Sequence, residues 1–444
     1  MGTLLICGLS PHPPLLIPDI GGDNIKGVEK TRDAMEKFSK AIKEADPDTL
    51  IFITPHGPIF KDAISLLGEK TLSGDFRRFR APRVKLAFEN DLELLALIEE
   101  KAREAFIPTI TLTHDAGGRY GVSAELDHGT MVPLYYLDKV GLHPSLVTIG
   151  FGLLPFEELY SFGRALRSAI EASGKKVAII ASGDLSHKLT PDAPYGYEPM
   201  GQVFDERLME LLKKMDVKGI MNLDKDLIEK AAECGLRSII IMLGALHGLK
   251  VSPEILSYEG PFGVGYGVAL LKINAESSLV RLARETVEEY VRNGRVISRP
   301  KTLEPEMIGP AGVFVSIKKD GQLRGCIGTI GPTQPSIAEE IISNTISAST
   351  RDPRFLPVRE EELESLVYSV DVLTEPEAIS RLSELDPKRY GVIVSKGNRR
   401  GLLLPNLEGV DSVEEQVMIA KRKAGIDIND HDVALERFEV IRWT

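Results

Sequence analysis

Two histidines stand where a sheet could deliver them to one point. His12 lies in Ser10-Pro11-His12-Pro13-Pro14, directly after the apolar run Leu4–Leu9. His56 lies in Thr54-Pro55-His56-Gly57, after the apolar run Thr49–Thr54. In open α/β sheets, ligands bind beyond the carboxyl ends of the strands. Prolines flank both residues, stiffening the loops and lowering the entropy cost of holding a ligand in place. Either histidine alone reads equally well as a turn residue near the surface. Together they favour a metal site, since neutral imidazole is a common metal ligand.

Three further segments join them. Val177–Ala181 is an apolar run leading into Gly183-Asp184-Leu185-Ser186-His187, where Asp184 or Ser186 is expected to hydrogen-bond the histidine ring and set its tautomer. Asp127-His128-Gly129 precedes an apolar helix or strand at Met131–Leu137. Ser257-Tyr258-Glu259-Gly260 opens a glycine-rich stretch in which Gly263, Gly265 and Gly267 allow close backbone approach. These glycines precede a strand, whereas a dinucleotide fingerprint follows one. Of the other histidines, His247 reads as a helix C-terminal residue, His143 and His431 as solvated, and His114 as the end of a strand-like run.

The elements that must position these residues alternate. Helical spacing of Ile25, Val28, Met35, Phe38 and Ile42 separates the first two strands. Leu92–Ala105 and Phe156–Ala172 read as helices, Ser145–Phe151 and Val177–Ala181 as strands. Helical stretches follow at Val203–Lys214, Leu227–Ala232 and Arg237–Leu246, then a strand at Val264–Ile273. This rhythm predicts an α/β domain, a mostly parallel sheet with helices on both faces, over residues 1–274. A boundary is expected near Asn274–Ser277. A smaller α+β domain is expected over residues 278–444, with strands at Gly312–Ile317, Leu366–Leu373, Gly391–Ser395 and Gly401–Leu404, and helices at Ile337–Ser349 and Val413–Ala424.

Bulk properties bound the function. The chain has 444 residues, 43% hydrophobic and 27% charged, with a net charge of −11. That charge disfavours nucleic acid as a partner of the whole chain. No apolar stretch is long enough to span a membrane, and the N-terminus reads as a strand, so a cytoplasmic location is expected. Cys7, Cys234 and Cys326 form no CxxC pair, which argues against disulfides and a structural zinc site. The basic, aromatic run Phe76-Arg77-Arg78-Phe79-Arg80-Ala81-Pro82-Arg83 reads either as a solvated loop or as a lid that recognises an anionic substrate or an RNA end.

On the five histidine- and glutamate-bearing motifs, residues 4–273 resemble the LigB-like class III extradiol ring-cleavage dioxygenases. The MEMO proteins (mediators of cell motility) are similar to the same family. The resemblance implies metal ligands at His12, His56 and Glu259, a proton shuttle at His187, and a second active-site histidine at His128. Asp115, Glu125 and His114 remain open as alternatives for the third ligand. MEMO-like relatives use cysteine there, but Cys234 falls in a helical stretch and matches that position poorly. Two histidines and one carboxylate leave one face of Fe(II) free for a catechol-like or other bidentate oxygen substrate and dioxygen. The same set binds zinc and activates water. A zinc hydrolase and a non-enzymatic metal-binding scaffold therefore stand as alternatives.

Residues 278–444 resemble the AMMECR family on Leu323-Arg324-Gly325-Cys326-Ile327-Gly328, Asp352-Pro353-Arg354-Phe355-Leu356-Pro357 and Lys423-Ala424-Gly425-Ile426. Arg324 to Gly328 is expected to form a turn after a strand. Arg324, Cys326, Asp352 and Arg354 form a candidate second site, either an anion pocket or an ion-pair network that holds loops. The pairing of the two domains resembles part of a modification system with a radical S-adenosylmethionine partner, an analogy only. Substrate and oligomeric state are left open.

Overall fold

The computed structural model describes residues 2–274, 276–319, 321–407 and 409–444. The expected boundary at Asn274–Ser277 includes Ala275, which lies outside the described residues. The chain divides into two compact units, Met1–Asn274 and Ala275–Thr444.

The first unit is built on an eight-stranded sheet: β1 (Thr3–Ser10), β2 (Thr49–Thr54), β3 (Ile64–Leu67), β6 (Thr109–Leu112), β7 (Ser145–Gly150), β8 (Lys176–Ser182), β9 (Val251–Glu259) and β10 (Tyr266–Ile273), in the order β6-β3-β7-β2-β8-β1-β10-β9. Its centre, β7-β2-β8-β1, is parallel. β10 and β9 add antiparallel to one side, and the parallel pair β3 and β6 joins antiparallel to β7 on the other. A hairpin of β4 (Thr71–Phe76) and β5 (Ala81–Glu89) stands apart as its own two-stranded sheet.

The central strands are apolar throughout because both of their faces are covered. Cys7, Ile51, Ile53, Val147 and Ile179 pack against the helices Leu92–Glu104, Phe156–Ser173 and Leu236–Ala245. Leu50, Phe52, Leu146 and Ile180 face the opposite way, onto Glu29–Ala45 and His128–Lys139. Phe156–Ser173 and Leu236–Ala245 cross very closely. A Cβ on Gly163 would lie 2.1 Å from the Ile241 carbonyl oxygen, and one on Gly244 would lie 2.1 Å from that of Tyr160.

Sequence periodicity locates most of these elements to within two residues. It misses β3, the β4–β5 hairpin and β9. β9 carries a proline, and its residues are all half-buried or exposed, so it lacks the apolar run of an interior strand.

The second unit is α+β. One antiparallel sheet contains β11 (Val313–Lys319), β12 (Gln322–Gly328), β13 (Leu366–Leu373) and β18 (Val440–Trp443), in the order β12-β11-β13-β18. Its apolar face packs on the helices Ser278–Asn293 and Ile337–Thr350. A second antiparallel sheet holds β14 (Glu377–Ile379), β15 (Gly391–Lys396), β16 (Arg399–Leu403) and β17 (Ala434–Phe438), covered by the helix Val413–Lys423. The turn expected at Arg324–Gly328 is instead strand β12, with Cys326 opposite Ser316. The chain reverses earlier, between Lys319 and Gln322, where Gly321 takes a positive φ of 77°. Among the described residues, no helix is long and apolar enough to cross a membrane.

Gly163→Val should destabilise the first unit by about 2–4 kcal/mol, because a branched side chain has no room between the two helix backbones. Chemical denaturation monitored by circular dichroism would measure it, and a change under about 0.5 kcal/mol would contradict this packing.

Candidate functional site

The four central strands β7, β2, β8 and β1 point their carboxyl ends to one edge of the sheet, and the chemistry collects there. β1 leads into His12, β2 into His56 and β8 into Asp184 and His187. His128 begins the helix that follows Asp127.

The position of His12 is fixed twice. Its backbone N–H donates to Asp184 Oδ1 at 2.9 Å, and its Nδ1 lies 2.9 Å from Ser182 Oγ. Ser182 is fully buried and donates its one hydroxyl proton to the Gly129 carbonyl at 2.5 Å. Its oxygen therefore accepts from His12 Nδ1–H, which leaves the lone pair of His12 on Nε2. The Gly129 carbonyl is available because Pro133 sits four residues on in the helix and has no N–H to offer it.

A related link sets His56. Thr54 Oγ1 accepts from His56 N–H at 3.2 Å and donates to Asp127 Oδ1 at 2.7 Å. Asp127 in turn caps the helix, accepting from Thr130 N–H. Gly129 must lack a side chain, since a Cβ there would come within 2.5 Å of Thr54 Oγ1.

Three imidazoles converge as a result. His12 Nε2 and His56 Nε2 are 2.9 Å apart. The His56 and His128 rings stack at 4.2 Å, and His12 meets His128 edge-on at 5.4 Å. One ring nitrogen from each lies within 4.8 Å of the others. Loss of solvation by the surrounding protein is the main reason all three stay neutral, although only His12 is buried, His128 being half-buried and His56 exposed. It holds His12 well below the usual imidazole range, with the neighbouring histidines adding to it, and lowers His56 and His128 to about 4. Three neutral imidazoles with one ring nitrogen each this close together fit a cation.

Other groups line the same place. Cys234 Sγ is 3.7 Å from His12 Nε2, and Asp184 Oδ2 is 3.8 Å from it. Burial, and secondarily the Asp184 and Glu233 carboxylates, hold the Cys234 thiol up in its protonated form. Burial also pushes Asp184 up to about 7, against the His12 N–H bond that favours its charged form. Burial lowers His187, against the carbonyls of Ala232 and Leu185. The Tyr195 ring lies 6.0 Å from that of His187.

The structure thus brings together His12, His56 and His128, with His187 near enough to act electrostatically on His12 and His56. Glu259 is not in this group. Its Oε1 accepts from Thr31 N–H at 2.7 Å and from Thr31 Oγ1 at 2.6 Å. The helix Glu29–Ala45 has no side-chain cap of its own, so the carboxylate serves an orphan donor in its first turn. His114, Asp115 and Glu125 are exposed and outside the group as well. The expected bonds from Asp184 and Ser186 to the His187 ring are not formed: Asp184 holds His12, and Ser186 donates to the Ala231 carbonyl.

Sequence reasoning passes over Cys234 as helical. It lies in the short connection just before Leu236–Ala245, held by Asp184 N–H at 3.3 Å. Ser182 and Pro133 are also missed. The signal for Pro133 is legible as a proline five residues beyond a histidine in an apolar helix.

In the second unit, Arg324 directs Nε and Nη2 to Glu362 and further donors to the Leu356 and Pro357 carbonyls. Arg354 grips Asp352 through two nitrogens and donates to the Cys326 carbonyl, while Asp352 accepts from Cys326 N–H. Ser316 Oγ lies 3.2 Å from Cys326 Sγ. These bonds tie the loop 351–359 to strand β12.

Residues 6–269 match the family model described as the catalytic LigB subunit of aromatic ring-opening dioxygenase, and residues 280–443 match that of AMMECR1. A Clostridium acetobutylicum protein is 45% identical over 459 residues, covering 98% of both chains. A Thermotoga maritima protein is 54% identical over 170 residues, covering 38% of this chain and 98% of its own. A crystal structure of an uncharacterized Pyrococcus horikoshii protein is similar at 38% identity over 37% of this chain and 88% of that one, with a TM-score of 0.35.

Two outcomes are expected. Ser182→Ala removes the acceptor that fixes the His12 tautomer and should weaken metal affinity by about 10-fold or more. Competition titration with a chromophoric chelator checks this, and unchanged affinity would contradict the hydrogen-bond chain. Separately, the Arg324 guanidinium holds the Glu362 carboxyl down to about 2 from its usual 4.5. The resulting stabilisation, roughly 3 kcal/mol, is complete above pH ~4.5 and fades as pH falls towards ~2. Trp443, the single tryptophan, lies in this unit. Urea unfolding followed by its fluorescence should show a steeper acid loss in wild type than in Glu362→Gln, and parallel curves would refute the pairing.

Proposed function

Because the chain belongs to the family of the catalytic LigB subunit of aromatic ring-opening dioxygenase through residues 6–269, and carries an AMMECR1 domain over residues 280–443, we propose that its first unit is a dioxygenase-like enzyme. In this reading His12, His56 and His128 hold Fe(II), and the substrate presents two adjacent oxygens, as a catechol does. The convergence of three neutral imidazole nitrogens within 4.8 Å of one another carries the proposal.

Bound Fe(II) would supply Lewis acidity towards the substrate oxygens and electron exchange with dioxygen. The chain's own residues do the rest. His12 keeps its Nε2 lone pair towards the site through Ser182. His187 is held neutral by burial, so it can accept a substrate hydroxyl proton on its ring near neutral pH. Asp184, pushed up to about 7, is a second group that can hold or release a proton there. The half-buried Phe79 ring lies 5.3 Å from that of His128 and adds an apolar surface beside the site.

One observation favours a second reading. The third nitrogen comes from His128 and not from a carboxylate, and three histidines are also a ligand set for catalytic zinc that activates water. Protein purified without oxygen and loaded separately with Fe(II) or Zn(II) discriminates the two. The dioxygenase reading expects oxygen uptake with a catechol only in the Fe(II) form, falling at least about 100-fold in His187→Gln. Zinc-supported ester or amide hydrolysis without oxygen uptake would replace it with the hydrolase. Stoichiometric metal retained in His12→Ala would sink both.

A further inference from the structure

The outer face of the sheet β12-β11-β13-β18 in the second unit is polar where its inner face is apolar. Val313, Val315 and Ile317 of β11 are fully buried among the residues that pack on the helices. Phe314, Ser316 and Lys318 therefore lie on the opposite face. Strand register sets Cys326 and Ser369 on either side of Ser316. The 3.2 Å approach of Ser316 Oγ to Cys326 Sγ shows that the two side chains share this face. The same register sets Asp371 beside Phe314, and Arg442 beside Asp371. The result is a row of short side chains, Cys326, Ser316 and Ser369, all partly exposed. Phe314 stands at one side of it, packed against the cluster that contains Ile393 and Phe438.

Two arginines flank the row, and each is pinned in the same way. From the β18 edge, Arg442 reaches Asp371 through Nε and Nη2, both at 2.7 Å. From the β12 edge, Arg354 reaches Asp352 through the same two nitrogens, at 2.9 and 2.7 Å. Asp352 and Asp371 are buried, whereas both guanidiniums are half-exposed. Among the described residues, Nη1 of each arginine has no partner. Cys326 acts electrostatically on both. Half-exposed ion pairs add little stability, and desolvating their carboxylates opposes folding. Stability alone does not account for two such pairs on one sheet face. Guanidiniums held in a fixed orientation with donors left over are suited to recognising anions. The loop clamp and anion recognition are not alternatives here, since the clamp uses Nε and Nη2 of Arg354 and leaves Nη1.

We propose that this face binds a small molecule with an anionic oxygen group at each end, one met by Arg354 and the other by Arg442, its short chain lying over Cys326 and Ser316. Neighbouring strands lie about 4.8 Å apart, so the row from β12 to β13 spans about 10 Å. That is the length of a short dicarboxylate together with its two guanidinium contacts. The small side chains of the row leave room for it, and Ser369, which has no partner among the described residues, has a hydroxyl proton to offer. Lys318 is exposed on the same face and adds positive charge there. The inference concerns the second unit alone and does not depend on the dioxygenase reading.

The test uses the full chain, with Cys326 as the reporter of occupancy. Iodoacetamide, a neutral reagent, alkylates the thiol and releases iodide, and mass spectrometry of the Cys326 peptide follows the rate apart from Cys7 and Cys234. Glutarate and adipate, which are diacids, are compared with butyrate, a monoacid, at equal ionic strength. In wild type at least one diacid should slow the reaction saturably, with half-protection at about tenfold lower concentration than butyrate. The difference should shrink as salt is raised. Arg442→Gln should bring diacid and butyrate level, and Arg399→Gln, in the other sheet, should keep the whole difference. If Arg442→Gln fails to fold, Arg442→Lys carries the comparison and should keep only part of the difference, because an ammonium lacks separate nitrogens for Asp371 and a ligand. Equal protection by diacids and butyrate in wild type, an undiminished difference in the Arg442 variants, or a Cys326 that does not react in the folded protein would overturn the inference.

Discussion

A proline inside a helix governs the direction in which His12 presents its lone pair. Pro133 gives up one helical hydrogen bond, at a cost of about 3 kcal/mol in an unsupported helix. Here the orphaned Gly129 carbonyl is satisfied from outside by Ser182 Oγ at 2.5 Å. Serine has one proton to give, so this bond settles the direction of the next one, and His12 carries its proton on Nδ1. The sequence of bonds from Pro133 through Gly129 and Ser182 to His12 joins a helix on one face of the sheet to the ends of β8 and β1. Gly183 N–H, donating to the Ser10 carbonyl at 3.0 Å, holds those two strand ends together. A local defect in one element thus becomes a tautomer constraint in another.

Much of this site is legible in the chain alone. His12 and His56 stand out because each follows an apolar strand, and strand ends of a parallel sheet share one edge. The helix start at Asp127-His128 is visible as a short acid before an apolar run. The error concerns the third ligand. Glu259 looks available because sequence gives no sign that the helix Glu29–Ala45 lacks its own cap, yet that lack is what engages the carboxylate. Cys234 escapes notice for a similar reason. Its neighbours look helical, but its position next to His12 depends on a contact spanning 222 residues. Periodicity reports which face of an element is buried. It carries no information on which polar atom from a distant segment will arrive there.

In the second unit, the same comparison turns on arginine valence. The motif around Cys326 could have been an anion pocket or a loop clamp. Arg324 directs its donors to Glu362 and two backbone carbonyls, and Arg354 divides its own between Asp352 and the Cys326 carbonyl. Guanidinium groups used this way fix the 351–359 loop onto an edge strand. An edge strand benefits from such covering because its unpaired backbone groups otherwise invite association. The sequence shows arginines and acids in one neighbourhood but not how many donors remain after the backbone has taken its share.

The electrostatics of the first unit separate by depth. Near the sheet, burial dominates: it keeps the histidines neutral, the Cys234 thiol protonated, and Asp184 near the midpoint of its titration at neutral pH. With its proton on Nδ1, His12 can only accept at Nε2, so the 2.9 Å approach of His56 Nε2 is a hydrogen bond in which His56 donates. A divalent cation would take the place of that proton, with His56 shifting its own to Nδ1, and each ligand would already carry the neutral charge it needs. No proton would have to leave His12, His56 or His128 for the cation to bind, which removes the usual competition between protons and metal at neutral pH. Farther out the balance reverses. Arg78 and Tyr195 are exposed, and solvent supports their charge and polarity at little cost.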